Sequence, residues 1–290
     1  MKNILHDISK IIDPVTLNIL KSINDKASLL GIDYFIVGAV ARDIILNYKF
    51  GMPVERKTND IDICIKVRSW DDFNNFVQKL SSEGLIEKSN SVHRYIFDKR
   101  TLIDIIPFGE IGRDKQEIIW PDENNLHMTV MGFDESYNNS EKIIIHQDPE
   151  IIVRFASLDG LVVLKLLAWD EKYPERKKDA QDIINIINHY LKAGNLNRLY
   201  NENSDLMELS PDTFDEKLLG ARLIGRDISK WITQTTYDKI VEILSTQLNE
   251  DTNSNFILDI ISSNAGKINY NEDYSYYLSV MKQLLNGLKD

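Results

Sequence analysis

Short runs of alternating hydrophobic and polar residues occur throughout the first half of the chain, and this alternation is typical of strands. The clearest run is DIDICIKV, from Asp60 to Val67. Two further runs, VHRYIFD and TLIDIIPF, are predicted to pair antiparallel around a turn at Lys99 and Arg100. The remaining predicted strands are YFIVG at 34–38 and KIIIH at 142–146.

Helical periodicity separates these strands. Asp13 and Pro14 are typical of a helix start, and the predicted helix runs to about Leu30, with Gly31 as its stop. AVARDIIL, which follows Gly38, and residues 70–80 are also predicted to be helical. KFGMPVERKTN at 49–59 is predicted to be a polar loop, and residues 109–139 a loop-rich stretch.

After about residue 150 the pattern becomes helical. The predicted helices are 158–170, 175–191, 211–228, 237–248, 255–262 and 273–288. Pro174 separates the first two, because proline interrupts a helix. The sequence therefore predicts an α+β fold, with a small mixed sheet flanked by helices in residues 1–150 and an α-helical domain in residues 151–290.

Composition limits the classes of function. The 34 basic and 45 acidic residues give a net charge of −11, whereas proteins that hold long nucleic acid over a broad surface are usually basic. This balance disfavours a duplex-DNA binder but is compatible with a tRNA end held by a local patch. The single cysteine excludes an intrachain disulfide framework. No signal peptide or membrane-length apolar run is present, so we expect a cytoplasmic protein without a membrane partner.

Two acids begin the strand DIDICIKV. Side chains alternate along a strand, so Asp60 and Asp62 project to one face while Ile61 and Ile63 project to the other. Neighbouring carboxylates repel each other, and a divalent cation removes that conflict. Mg²⁺ typically takes one or two carboxylates together with substrate phosphates. The alternative is that both acids lie on the solvated face of an edge strand.

A third acid, Asp104, lies between aliphatic residues in TLIDIIPF. A buried charge without a partner is costly, and a metal ion shared with Asp60 and Asp62 would supply one. A salt bridge to Arg94 or Arg100 is the alternative.

The segment VGAVARD, from Val37 to Asp43, is predicted to join a strand to a helix. Gly38 allows the backbone to approach a phosphate closely, and amide groups at a helix start point toward anions. Such turns are common, but a turn of this kind followed by two alternating aspartates is a much more specific signal.

Together these segments, from Tyr34 to Phe108, resemble the nucleotidyltransferase superfamily with the DNA-polymerase-β-like fold. The family pattern is h-G-[GS], a helix, a loop, D-h-[DE]-h and a third acid on a later strand. The resemblance implies an enzyme dependent on Mg²⁺ or Mn²⁺ that moves a nucleoside monophosphate from a nucleoside triphosphate to an acceptor hydroxyl. It implies that the metal-binding and catalytic acids are Asp60, Asp62 and Asp104, and that the nucleotide-binding residues of the turn are Gly38, Ala39 and Arg42.

GAVARD also resembles the corresponding turn of tRNA CCA-adding enzymes. Ala39 stands where the family pattern has a second Gly or Ser, so a hydroxyl contact to phosphate is missing at this position. The loop between Gly38 and Asp60 is longer than is usual in the family.

The whole chain resembles the AbiEii-like group of nucleotidyltransferases, which is related to MenT-type toxins of toxin–antitoxin systems. The resemblance rests on residues 120–133, on SLDGLVVLKLLAWDEKYPERKKDAQDI and on LLGARLIGRDI. It implies an active-site lysine at Lys165, a tRNA end as acceptor and a cognate antitoxin as partner. Transfer to a protein or small molecule, and a non-catalytic nucleotide-binding module, remain open alternatives. We expect Arg222 and Arg226 on a solvated face, with a basic patch for the acceptor as the alternative.

The helix LDGLVVLKLLAW has almost no polar side. Leu158, Leu161, Val162 and Trp169 share a face with Lys165 in its middle. A lysine in such a helix either extends to solvent or meets negative charge. We expect Lys165 to take part in catalysis by reaching the nucleotide phosphates or the metal carboxylates, and packing of its stem below a solvated ammonium is the alternative.

The following segment, ERKKDAQD, carries four charged residues of interest. Arg176 and Asp179 lie at the edge of an apolar stripe at i and i+3 and are predicted to belong to the nucleotide site. Lys178 and Asp182 are predicted to be solvated. The alternative for Arg176 and Asp179 is an ordinary helix ion pair, which stabilises a protein by only ~0.3–0.5 kcal/mol.

Overall fold

The computed structural model describes residues 5–53, 60–121, 126–209, 214–249, 253–262 and 270–290. The chain divides into two compact units, Met1–Ser157 and Leu158–Asp290. The predicted boundary near residue 150 falls at the start of a strand, Glu150–Phe155. That strand pairs with two others of the first unit, so it belongs there and not to the helical domain.

A mixed sheet is the centre of the first unit. The strands of the first unit are β1 (His6–Asp7), β2 (Asp33–Val37), β3 (Asp60–Lys66), β4 (Ile86–Lys88), β5 (Arg94–Phe97), β6 (Thr101–Phe108), β7 (Glu117–Trp120), β8 (Leu126–Thr129), β9 (Glu141–Gln147) and β10 (Glu150–Phe155). The strand order of the mixed sheet is β1-β9-β10-β2-β3-β6-β5-β4, and β7 and β8 form a separate hairpin.

Four helices flank this sheet in the described part of the first unit. They are α1 (Pro14–Leu30), α2 (Gly38–Asp43, continued by a π-helical turn at Ile44–Lys49), α3 (Trp70–Ser82) and α4 (Phe133–Asn138). Asp13 caps α1 by accepting hydrogen bonds from the amides of Val15 and Thr16, at 3.0 and 3.1 Å, and Gly31 ends it with φ +63°. The predicted mixed sheet with flanking helices is confirmed.

Alternation along β3 gives the sheet two different faces. The isoleucines of β3 are buried on one face. On the other face Phe35 and Phe108 pack edge-to-face, 5.4 Å apart, and both contact the ring of Tyr137 from α4. Asp60 and Asp62 lie on this second face, at the beginning of β3.

The second unit is helical in its described part, as predicted. Its α-helices are α5 (Leu158–Glu171), α6 (Lys178–Tyr190), α7 (Leu196–Glu202), α8 (Glu216–Ser229), α9 (Gln234–Gln247), α10 (Asn255–Ile261) and α11 (Tyr270–Lys289). A kink at Ala193 and Gly194, whose backbone angles are not helical, separates α6 from α7, and a 3₁₀-helix, Ser204–Leu209, follows α7. None of the described helices has the combination of length and apolarity that a bilayer-spanning helix requires.

Two glycines allow α8 and α11 to cross at very short range. A Cβ atom at Gly225 would lie 2.3 Å from the carbonyl oxygen of Leu284, and one at Gly287 would lie 2.1 Å from that of Arg222. Real side chains do not fit at such distances, so the crossing depends on glycine at both positions.

Several elements differ from the sequence prediction. The stretch predicted as loop-rich contains β7, β8 and α4, because elements of four to six residues are too short for their periodicity to be recognised. Two helices start later than predicted: α6 at Lys178 and α8 at Glu216. The predicted helix start at 211–213 and residues 54–59 of the predicted polar loop lie outside the described residues.

Candidate functional site

A row of four residues crosses four adjacent strands at one end of the sheet. Val37 of β2 is paired with Asp62 of β3, Asp62 with Asp104 of β6, and Asp104 with Arg94 of β5. Residues paired in this way project to the same face. Asp60 lies two positions before Asp62 and therefore also on this face. The sheet thus brings together the three acids that the sequence singled out.

Gly38 lies against the carboxylate of Asp62. It follows the last residue of β2 directly and has φ +67°, a conformation that favours glycine. A Cβ atom built there would lie 1.9 Å from Oδ2 of Asp62. The Asp62 carboxylate therefore packs against the backbone of the turn between β2 and α2, in space that only a glycine leaves free.

Asp104 forms a bidentate ion pair with Arg94. The Nε and Nη2 groups of Arg94 donate to Oδ1 and Oδ2 of Asp104, each at 2.7 Å, and Asp104 is buried, with 6% of its surface exposed. Hydrogen bonding to Asp104 raises the pKa of Arg94 against the opposing effect of burial, and the charges of Asp60 and Asp62 raise it further. This ion pair is the alternative to a metal partner that the sequence left open for Asp104.

The acids at the start of β3 fit a divalent metal ion by their chemistry. Asp60 and Asp62 are half-buried carboxylates on one face, and hard oxygen ligands of this kind suit Mg²⁺ when substrate phosphates complete its coordination. Across the described ranges, no three His, Cys, Asp or Glu side chains converge closely enough to form a metal site on their own. A metal ligand role for Asp104 remains a prediction, since its oxygens bind Arg94.

Ala39 and Arg42 lie in α2, directly after Gly38. Arg42 is buried, and its Nε and Nη2 groups lie 3.0 and 2.9 Å from Oδ1 of Asp43. Ala39 is half-buried at the second position of the helix. Nucleotide binding by Gly38, Ala39 and Arg42 stays a prediction.

In the second unit, Lys165 is buried and meets two acids of α6. Its Nζ donates to Oδ1 of Asp179 at 3.0 Å and to Oδ2 of Asp182 at 2.6 Å. Burial lowers the pKa of Lys165, but the charges and hydrogen bonds of Asp179 and Asp182 outweigh this effect and raise it. Arg176 donates to the other oxygen of Asp179 at 2.6 Å. The expectation that Lys165 meets negative charge agrees with this cluster, and its contact with nucleotide phosphates stays a prediction.

The prediction that Asp182 is solvated is wrong. Its side chain is 28% exposed and binds Lys165. Asp182 lies three residues after Asp179, and residues at this spacing share a helix face, so one lysine reaches both. Lys178 is exposed, as predicted. Roles of Arg176 and Asp179 in a nucleotide site stay predictions.

Arg222 and Arg226 do not lie on a solvated face. Their side chains are less than one-fifth exposed, and both bind the carboxylate of Asp290, while Arg226 also binds Asp205. Sequence periodicity does not predict these ion pairs, because Asp205 and Asp290 lie far from the two arginines along the chain.

Arg94 is a member of the acidic row that the family pattern does not predict. From the sequence it is only one of two alternative salt-bridge partners for Asp104, with Arg100 as the other. The sequence does contain a signal for this contact. A hairpin whose turn is centred on Lys99 pairs Arg94 with Asp104, and this is the observed register.

No family model matches the sequence, and no curated protein matches it. Similar solved structures include the antibiotic-resistance factor ANT(2'')-Ia, with 16% identity and a TM-score of 0.38 over 68% of this chain and 97% of that one. The lincosamide antibiotic adenylyltransferase LnuA, bound to lincomycin, has 18% identity and a TM-score of 0.35 over 58% and 93%. The Thermotoga maritima CCA-adding enzyme in complex with tRNA has 12% identity and a TM-score of 0.26 over 97% and 83%. Similarity this low does not identify the reaction of this chain.

Proposed function

We propose that the chain is a nucleotidyltransferase that depends on a divalent metal ion held by Asp60 and Asp62. The observation that carries the proposal is the placement of both carboxylates on one face at the start of β3, with Asp62 against the backbone of Gly38. This placement combines oxygen ligands for a metal with a glycine turn where a phosphate can approach backbone amides. The sequence resemblance from Tyr34 to Phe108 supports the same reaction.

In the proposed reaction the acceptor hydroxyl oxygen forms a bond to the α-phosphorus of a nucleoside triphosphate. The bond from that phosphorus to the bridging oxygen breaks, pyrophosphate leaves, and the hydroxyl proton passes to solvent. A bound metal ion supplies charge stabilisation for the phosphate oxygens. Asp60 and Asp62 would hold this ion, while Gly38, which has no side chain, leaves room for a phosphate to approach the backbone amides.

Asp62→Asn tests this proposal. The change keeps the size of the side chain but removes the charge, so we expect nucleotide transfer to fall by about a hundredfold or more, since a bound metal supplies several kcal/mol of transition-state stabilisation. The matched control is Asp71→Asn, an exposed acid in the first turn of α3 of the same unit. Transfer is measured with each labelled nucleoside triphosphate in Mg²⁺ or Mn²⁺. Undiminished transfer by a folded Asp62→Asn protein would contradict the assignment.

For the acceptor we propose the end of an RNA, with tRNA tested first. The resemblance to AbiEii-like proteins and MenT-type toxins supports this choice and predicts that transfer arrests growth unless an antitoxin is present. An aminoglycoside, a lincosamide and whole-cell protein are the other acceptors to offer with the same labelled nucleotides. Label on any of these instead of tRNA would contradict the RNA assignment while preserving the reaction class.

A second candidate is a nucleotide-binding module without catalysis. The observation that favours it is the ion pair of Asp104 with Arg94, which occupies both oxygens of the third acid. Nucleotide binding that depends on Asp62, without transfer to any of the acceptors above, would support this candidate over the enzyme.

A further inference from the structure

Arg94 is a cation placed inside the row of acids. It binds both oxygens of Asp104 and interacts electrostatically with Asp60 and Asp62. Its side chain is 35% exposed, whereas that of Asp104 is 9% exposed. The guanidinium group is therefore more accessible to solvent than the Asp104 carboxylate that it binds.

The charge of Arg94 acts against a metal ion at Asp104. A carboxylate that accepts two hydrogen bonds has further lone pairs, but a dication on those lone pairs would lie next to the guanidinium. Like charges at such a distance repel strongly, even with the moderate effective dielectric of a protein surface. Arg94 and a divalent metal ion therefore compete for Asp104, whereas Asp60 and Asp62 can take the metal ion first.

Charge balance also favours metal binding at Asp60 and Asp62 before Asp104. The three acids carry three negative charges, and Arg94 neutralises one of them. A single divalent cation at Asp60 and Asp62 then balances the row without Asp104. Without Arg94, the third carboxylate would repel its neighbours until a cation neutralised its charge.

We propose that Arg94 is a positioning residue that holds Asp104 out of metal coordination and thereby weakens divalent-metal binding in the nucleotide-free protein. The inference rests on the proposed function, because it requires a metal ion at Asp60 and Asp62. Asp104 joins the metal ligands only when Arg94 is displaced.

The test is a Mn²⁺ titration of nucleotide-free protein by equilibrium dialysis. We expect Arg94→Gln to bind Mn²⁺ about tenfold more tightly than the unchanged protein, because the competing charge is gone and Asp104 is released. Adding Asp104→Asn to Arg94→Gln should remove this gain. The matched control is Arg68→Gln, which breaks another bidentate Arg–Asp pair of the same unit, that with Asp72, and should leave Mn²⁺ affinity unchanged.

Folding of each variant is checked by circular dichroism. If Arg94→Gln does not fold, Arg94→Lys replaces it, because lysine retains a charge but loses the two-point contact, and it should still bind Mn²⁺ more tightly than the unchanged protein. Equal affinity of the folded Arg94 variant and the unchanged protein, with binding lost in Asp62→Asn, would overturn the inference and leave the proposed function standing. Absence of any Mn²⁺ binding that depends on Asp62, in both proteins, would overturn both.

Discussion

The Asp62 side chain packs directly against Gly38, where any residue with a Cβ atom would collide with it. The carboxylate occupies the space that a Cβ atom at Gly38 would need, 1.9 Å from Oδ2, and the φ of +67° independently favours glycine. Two separate physical requirements therefore act on one residue. One concerns the backbone conformation, and the other concerns the room left for the acid that we propose as a metal ligand.

Gly38→Ala separates these two requirements when it is compared with Gly84→Ala. Gly84 has φ +70°, but a Cβ atom there would meet nothing within 4 Å, so alanine adds only backbone strain of about 1–2 kcal/mol. We expect Gly38→Ala to reduce the free energy of unfolding by more than Gly84→Ala does and also to weaken Mn²⁺ binding, because Asp62 must move. Chemical denaturation and Mn²⁺ titration measure the two effects. Equal losses of stability with unchanged Mn²⁺ affinity would contradict the close contact.

At the scale of elements, α5 and α6 are joined by charge as well as by apolar packing. The buried ammonium group of Lys165 meets Asp179 and Asp182, both on one face of α6. Removing one member of a buried ion pair leaves the other without compensation, which is more costly than loss of a surface pair. The ion pairs thus favour the rotation of α6 that turns Asp179 and Asp182 toward Lys165 of α5.

Lys165→Met tests this pairing. Because Arg176 still binds Asp179, we expect a loss of about 3 kcal/mol, at the lower end for a broken buried pair. The matched control, Lys178→Met, removes an exposed lysine of α6 and should change stability little. Chemical denaturation of the variants and the unchanged protein measures both effects.

The pH dependence of this stabilisation follows from the raised pKa of Lys165. A lysine whose pKa is raised on folding stabilises the folded state fully below its ordinary pKa of 10.5, and this contribution disappears as the pH rises through the higher folded value. The difference in unfolding free energy between the unchanged protein and Lys165→Met should therefore be constant from neutral pH to about pH 10 and shrink above it. A difference that is already lost at neutral pH would contradict the ion pair.

Local sequence patterns predict individual strands and helices, but they do not predict the contacts between distant elements. Alternation in DIDICIKV and the Asp13–Pro14 and Gly31 signals predict β3 and α1 nearly to the residue, because these are local properties. The grouping of Asp60, Asp62 and Asp104 was also predictable, through the family pattern. The ion pairs of Asp182 and Arg222 were not, because their partners depend on helix rotation and on contacts between distant segments.

At the scale of the whole molecule, the net charge of −11 disfavours nucleic acid held through its phosphates alone. Non-specific binding to duplex DNA comes almost entirely from neutralised phosphates. An RNA end would have to be held by a local group of residues, and the long-range field would oppose its approach.

We therefore expect the protein not to bind a random DNA duplex of about 20 base pairs at about 150 mM salt with micromolar or tighter affinity. Fluorescence anisotropy with labelled duplex, and with labelled tRNA in parallel, measures this. Micromolar binding to the duplex that weakens steeply with added salt would show that a basic surface prevails over the net charge.

The hairpin of β5 and β6 should tolerate insertions and deletions of residues poorly. Its turn is tight, with Asp98 and Lys99 both in the left-handed region, and Phe97 and Thr101 already form a strand pair. One residue inserted or deleted between them would change the turn that sets the register of β5 against β6, and a slip of that register by one residue would separate Arg94 from Asp104. Length variation among natural or engineered versions of this chain should therefore spare this hairpin and accumulate in the connections that lie away from the acidic row.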